Sequence, residues 1–525
     1  MATAALLVPL LAALASPEPY HLRPYPQKIR TLHPSTPARH PYIHVPIPPG
    51  CPIRNPHIVH RDSSGAVWAA SSAALARYTS GNGWEYFAGR RYLPAGALQA
   101  FIVERPDRVW VRSDSGGSRI DFLPMGLEDK AAHFEQRVRL RHDRYGLVAD
   151  SELLTPGDVS TNRLVPNDND GLWTALYVGA QCFRYAVNAA PEARAAARRS
   201  LDALLRLEEI TGQPGFPARS YIRKGDYRPP GGIWRDSPDG KHEWKADTSS
   251  DEIVGHFFAY ALYYDLVAAD DEKPRLRAAV HRIMSRILDD GYNLIDRVTG
   301  KPTTWGEWSP TFFSLPRGRG EVALNSAEIL SHLLVAHHIT GDRRFRDAYL
   351  TLISVHGYAR NTARYLELLS QINYSDEELA LLSFYPLFLY EKDPALRHAY
   401  LQGLEQWWQN CRRERNPLWI FIYQLATGTF SHTSDAVWTL ARYPMELIKW
   451  NVDNASRADI TGDTVIDRFR LRQIRELLPP DERPVHKWNA NVFRPDGGSG
   501  GRGEDDGAAY LLPYWMGRYH RFIAE

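Results

Sequence analysis

The 525-residue chain is 44% hydrophobic, with 63 Lys and Arg against 61 Asp and Glu. A net charge of +2 gives no footing for nucleic acid or an anionic membrane surface as partner. Three cysteines, Cys51, Cys182 and Cys411, are too few and too scattered for a disulfide framework or a CxxC metal knuckle.

The N-terminus reads "MATAALLVPLLAALASPEP", with an apolar stretch over Ala4–Leu14 and Ala13-Leu14-Ala15 resembling a signal-peptidase site, though without a basic n-region. Residues 1–16 are the candidate signal peptide, and a secreted or periplasmic location is expected. No other apolar run approaches the roughly 18 to 20 residues of a membrane span. Residues 17–56, rich in Pro, His and Arg, read as an irregular arm.

Residues 57–125 alternate as strands do. "RDSSGAVWAASSAALARYTSGNGWEYF" and "RPDRVWVRSDSGGSRIDF" each run turn, Trp-bearing strand, Ser/Gly turn, and 42 residues separate Val67 from Val109. These lines resemble the repeats of two-component-regulator sensor propellers. Two blades cannot close a ring, so a small β appendage is expected.

From Leu127 onward the pattern is helical, and two kinds of helix alternate. Leu127–Asp143, Glu192–Glu209, Lys273–Asp289, Asp342–Val355 and Pro394–Gln409 carry one apolar stripe, and Asp435–Trp450 is mixed. Gly171–Asn188, Glu252–Ala268, Ser326–Ile339, Asp376–Glu391, Pro417–Thr427 and Gly507–Ile523 are apolar nearly all round. The first kind lies on a surface and the second is buried. Six such pairs predict a mainly α protein, an (α/α)6 toroid over 127–525 with the β appendage at its N-terminal side. The loops leading into the buried helices are long (Thr211–Ser250, Asp290–Asn325, Gly357–Ser375, Asn451–Asp506), and loops of that length are usually functional. Alternation puts them all at one end.

At that end the inner helices open "NDNDG", "DTSSDE", "LNSAE", "NYSDEE", "NPLW" and "EDDG". Asp, Asn and Ser cap helices, and acids suit the positive end of the dipole. Capping does not account for doubled acids. Asp170, Asp251, Glu252, Asp376 and Asp506 are therefore the candidate catalytic carboxylates, with Asp251 as general acid and Asp376 as base. Hydrolysis of a glycosidic bond needs such a pair. Asp168, Trp244, Trp305, Trp308, Asn325, Tyr374 and Trp488 are candidate substrate contacts, the indoles as stacking faces for sugar rings.

The architecture resembles the (α/α)6 class of carbohydrate-active enzymes, which holds both glycoside hydrolases and polysaccharide lyases. No family-specific motif is matched, so no catalytic residue is carried over. A glycoside hydrolase acting on an oligo- or polysaccharide is the leading expectation. A lyase would instead rest on Asn325, Asn373, Tyr374, His256 and Arg518. A sugar-binding or sensory protein would bind without turnover. Glu252 with His256, the His337-His338 pair and a calcium-like "NDNDG" without its closing Glu fall short of metal sites, and no cofactor fingerprint occurs. Neither a metal nor a cofactor is expected.

Overall fold

The fold is described from a computed structural model, over residues 24–33, 45–369, 371–465, 467–469 and 471–524. The candidate signal peptide lies outside the described residues.

Twelve helices make the main body: α1 (Leu127–Arg141), α2 (Asp170–Asn188), α3 (Pro191–Glu209), α4 (Ser250–Leu266), α5 (Lys273–Asp289), α6 (Val322–Thr340), α7 (Arg343–Ser354), α8 (Tyr374–Tyr390), α9 (Pro394–Cys411), α10 (Pro417–Thr427), α11 (Thr433–Arg442) and α12 (Ala508–Tyr519). The even-numbered helices form the inner ring. Each packs on the next, and α12 closes back on α2. The odd-numbered helices lie outside, α1 against α12, α3 against α2, α7 against α6, α9 against α8 and α11 against α10. This is an (α/α)6 toroid. Helix α4 shows why: from Ile253 to Tyr263 every side chain is buried, which only an inner position permits. Short connections turn the chain from inner to outer helices. Ala189 adopts a left-handed backbone (φ 53) at the end of α2, and Pro191 opens α3.

The far half of the ring is plugged by aromatics. Phe258 and Phe183 both meet Tyr385, at 5.7 and 6.1 Å between ring centroids.

The β unit is two four-stranded antiparallel sheets. The first is a meander of β2 (Ile58–Arg61), β3 (Val67–Ala70), β4 (Ala74–Thr79) and β5 (Gly83–Ala88). The second runs β6 (Leu98–Arg105), β7 (Arg108–Ser113) and β8 (Gly116–Met125), with β1 (Tyr25–His33) on its edge. Trp68 of the first sheet packs against Phe101 and Phe122 of the second at 6.2 and 6.3 Å, so one shared core holds both.

Two expectations are corrected. The stretch read as an irregular arm contains β1, paired with β8 from Tyr25↔Met125 to His33↔Gly117. Its Pro26 and basic residues hide a strand that an edge position tolerates. The helix expected over Asp435–Trp450 stops at Arg442. Pro444 forces the residue before it out of the helical region, and Tyr443 is extended (ψ 129). Among the described residues no helix is long and apolar enough to cross a membrane.

Candidate active site

The capping explanation fails for most inner helices. The N-cap residues of α2, α4, α6, α8 and α12 make no side-chain cap hydrogen bond, and only Asn416 of α10 does, accepting from the Leu418 N–H. The acids fall into two groups by what faces them.

The first group is held by cations or caps. Asp170 is buried and paired with Arg144 at 2.5 Å, and the Ser220 hydroxyl donates to it. Asp506 lies 3.1 Å from the Lys487 ammonium and accepts the Ala508 N–H at 2.6 Å. Burial works against its charge, but Lys487 holds its pKa below the usual carboxylate value. Asp168, expected as a substrate contact, is exposed and paired with Lys245 at 2.5 Å. These residues tie α2 and α12 to the loops, so Asp170 and Asp506 are engaged structurally.

The second group has no cation in ion-pair contact among the described residues: Asp251 and Glu252 of α4, Glu328 of α6, Asp376 and Glu378 of α8. Glu252, Glu328 and Glu378 are fully buried. Neither carboxylate oxygen of Glu252 or Glu378 has a hydrogen-bond partner, and Glu328 accepts only from the Trp308 indole N–H, at 2.7 Å. Asp251 and Asp376 are half-buried on the loop side. The Asn169 amide donates to Asp251 at 3.2 Å and the Asn373 amide to Asp376 at 2.6 Å. Asp251 sits at the hub, its charge acting on all four others.

Helix N-termini favour carboxylates, yet burial decides here. It pushes the pKa values of Glu252, Glu328 and Asp376 well above the usual range, and carboxylate neighbours add to it. Glu378 is pushed up to about 8 by burial and then by Asp251. Glu321, beside this group, is raised by burial too. The arrangement therefore sets proton-holding carboxyls beside the half-buried Asp251 in one pit. Gly171 makes it possible: a β-carbon there would come within 1.9 Å of a Glu252 oxygen.

Loops form the rim. Arg219 donates to the carbonyls of Asp168 (2.6 Å) and Asp247 (3.1 Å), to the Asn169 side chain (3.1 Å) and to the Ser249 hydroxyl (3.2 Å), locking the starts of α2 and α4 together. Asp247, in a left-handed backbone (φ 59), receives the N–H and hydroxyl of Thr304, each at 2.8 Å. That fixes the loop carrying Trp305, whose side chain is 45% exposed. Arg468, from the segment between α11 and α12, lies 5.4 Å from the Trp305 ring and acts electrostatically on Asp376.

Of the four expected indole contacts, only Trp305 is exposed. Trp244, Trp308 and Trp488 are buried. Trp244 packs edge-on against Phe216, and Trp488 against Tyr443. The Asn325 amide donates to the Glu307 carbonyl at 2.8 Å, and the Tyr374 hydroxyl to Gln473 at 2.7 Å. Of these five only Trp308 touches a pit carboxyl, Glu328; the others hold loops and helix ends in place.

Glu328 and Glu378 were not among the expected catalytic residues. A signal existed. "SSDE", "NSAE" and "SDEE" share a Ser or Asn three residues before Glu, a spacing that reads as a capping box. Here the Glu side chains turn into the pit instead.

No protein-family description and no curated protein matches this chain. Several solved structures are similar at low identity. A sugar epimerase from a ruminal bacterium is 13% identical, covering 75% of this chain and 100% of its own, with a TM-score of 0.37. A type II terpene cyclase, MstE, from Scytonema is 12% identical, covering 75% and 98%, with a TM-score of 0.35. An unsaturated glucuronyl hydrolase specific for heparin is 10% identical, covering 76% and 98%, with a TM-score of 0.30. Likeness of this depth carries no argument about chemistry, and the toroid assignment rests on the closed helix ring itself.

Proposed function

We propose that this chain is a carbohydrate-active enzyme, a glycoside hydrolase, whose reaction centre lies between Asp251 and Asp376. One observation carries the reading: five carboxyl groups from three neighbouring inner helices converge without an ion-paired cation, and only Asp251 and Asp376 among them face the loops. Glycosidic hydrolysis needs a protonated acid at the leaving oxygen and a carboxylate at the anomeric carbon or its attacking water. The raised pKa of Asp376 suits the proton donor, the reverse of the role expected from sequence. Asp251 then activates water or attacks the anomeric carbon. The glycosidic C–O bond breaks, the leaving sugar takes the Asp376 proton, and water supplies the new anomeric hydroxyl. The exposed Trp305 indole, with Arg468 beside it, offers a platform for a sugar ring.

The lyase reading has less support. Its base would be Tyr374, which is buried and bound to Gln473, or His256. Burial lowers the His256 pKa to about 4, and its Nδ1 contacts the Glu252 carbonyl at 2.6 Å. Turnover of an oligosaccharide panel in ¹⁸O-water, read by mass spectrometry, separates the chemistries. Hydrolysis places one heavy oxygen in the product. An unsaturated product without heavy oxygen, an isomer of unchanged mass, or binding without conversion would each count against this proposal.

A further inference from the structure

Arg468 and Trp305 stand together on the rim of the carboxylate pit, and the positive charge there is unspent. We infer that this pair forms a subsite for an acidic sugar, a uronate or a sulfated residue, so that the glycan taken by the pit is anionic. The inference rests on the reading of the pit as the sugar-reacting site.

The backbone holds both residues in place. The Arg468 N–H donates to the Ile372 carbonyl at 2.8 Å, and Asp467 bridges Ile372 in the parallel sense, just before α8 begins at Tyr374. The buried Asp467 carboxylate is occupied by the Leu471 N–H at 2.8 Å and the Asn491 amide at 2.9 Å. The Arg468 guanidinium lies 5.4 Å from the Trp305 ring centroid. Trp305 is held in turn by the bonds from Thr304 to Asp247. Both side chains are exposed, so a ligand can reach them.

The other cations around the pit are committed. Lys245 pairs with Asp168 at 2.5 Å, Arg317 with Glu307 at 2.5 Å and Arg144 with Asp170 at 2.5 Å. Lys487 stands between Asp506 at 3.1 Å and Asp150 at 3.4 Å. Arg219 spends its donors on two carbonyls, an amide oxygen and a hydroxyl. Among the described residues Arg468 has neither an ion pair nor a side-chain hydrogen bond. A guanidinium against an aromatic ring keeps its N–H donors available, and its fork matches two oxygens of a carboxylate or sulfate. The exposed indole beside it offers an apolar surface to the same sugar ring.

The pit does not oppose an anion at this place. Glu252, Glu328, Asp376 and Glu378 have raised pKa values, through burial first, and a protonated carboxyl does not repel. Arg468 works against the rise at Asp376. An anion laid on Arg468 offsets that charge and helps Asp376 keep the proton it donates.

Isothermal titration of the full chain at fixed ionic strength tests this. Oligogalacturonate and oligoglucuronate are each compared with their methyl esters, and a sulfated galactan oligosaccharide with its desulfated form. The acidic member of at least one pair should bind about tenfold or more tightly than its neutral counterpart, as a charge-assisted hydrogen bond allows. Preference within the uronate pairs identifies a carboxylate as the recognised group, and preference within the sulfated pair a sulfate. Arg468→Gln should abolish the preference and Arg468→Glu should reverse it, with melting temperature as the check on folding. Equal affinities within every pair, no saturable heat with any acidic probe, or an unchanged preference in a folded variant would overturn the inference. The readout is binding, so it separates from the reaction. Full turnover in Asp251→Asn and Asp376→Asn would sink the hydrolase reading and leave this preference standing, whereas hydrolysis with equal affinities would do the reverse.

Discussion

Glu378→Gln isolates the electrostatics of the pit in one buried group. The carboxyl of Glu378 is fully buried, without a hydrogen-bond partner at either oxygen, and its pKa rises from 4.5 to about 8. A raised pKa means that the folded protein holds a proton which the unfolded chain releases near 4.5. The stabilising contribution is complete below that value and is lost as pH rises through 8. Each pH unit in the window is worth about 1.4 kcal/mol. The wild type should therefore lose about 3 kcal/mol by pH 7 and up to about 5 kcal/mol by pH 9 from this residue alone. Glutamine has nearly the same shape and cannot ionise. Urea unfolding of both proteins at pH 5, 7 and 9 reads the effect: stabilities should nearly coincide at pH 5, and the variant should gain on the wild type as pH rises. Parallel pH profiles would refute the reasoning, because they would mean that Glu378 is ionised in the folded protein at no cost.

Two further outcomes follow from how the acids are partnered. Asp170→Asn should act on stability, since it leaves Arg144 buried without its carboxylate, at about 3–5 kcal/mol. The melting temperature should fall while the folded fraction still turns over, and unchanged melting with lost turnover would place Asp170 in the chemistry instead. Trp305→Ala should raise KM several-fold with little change in kcat, the signature of lost uniform binding. A fall in kcat at constant KM would show that the indole works in the transition state.

Much of the fold was legible because burial leaves a period in the sequence. Helices such as "EIVGHFFAYALYYDLVA" have no polar face, which only an inner ring explains, and striped helices such as α3 alternate with them. The edge strand β1 was not legible, since one proline and three basic residues in nine, counting His33, erase the alternation. The pit was legible in part. Doubled acids pointed to the loop end of the toroid, but sequence could not tell the ion-paired Asp170 and Asp506 from Asp251 and Asp376. Their partners, Arg144 and Lys487, come from loops whose paths no local pattern fixes. Glu328 and Glu378 escaped for a related reason, since a glutamate in the first two turns of a helix is the ordinary dipole partner. The indoles misled because Trp244 and Trp488 face inward, and a loop sequence does not say which way its aromatics turn.

The central claim is that Asp251 and Asp376 form the reacting pair. Asparagine keeps the shape of both residues and removes only the acid, and neither residue caps its helix, so melting temperature serves as the control for each variant. The measurement is single-substrate turnover of Asp251→Asn and Asp376→Asn on whichever glycan the wild type cleaves. Each should lose on the order of a hundredfold or more in kcat, with melting temperature no lower than the wild type's. Full activity in both folded variants would contradict the account.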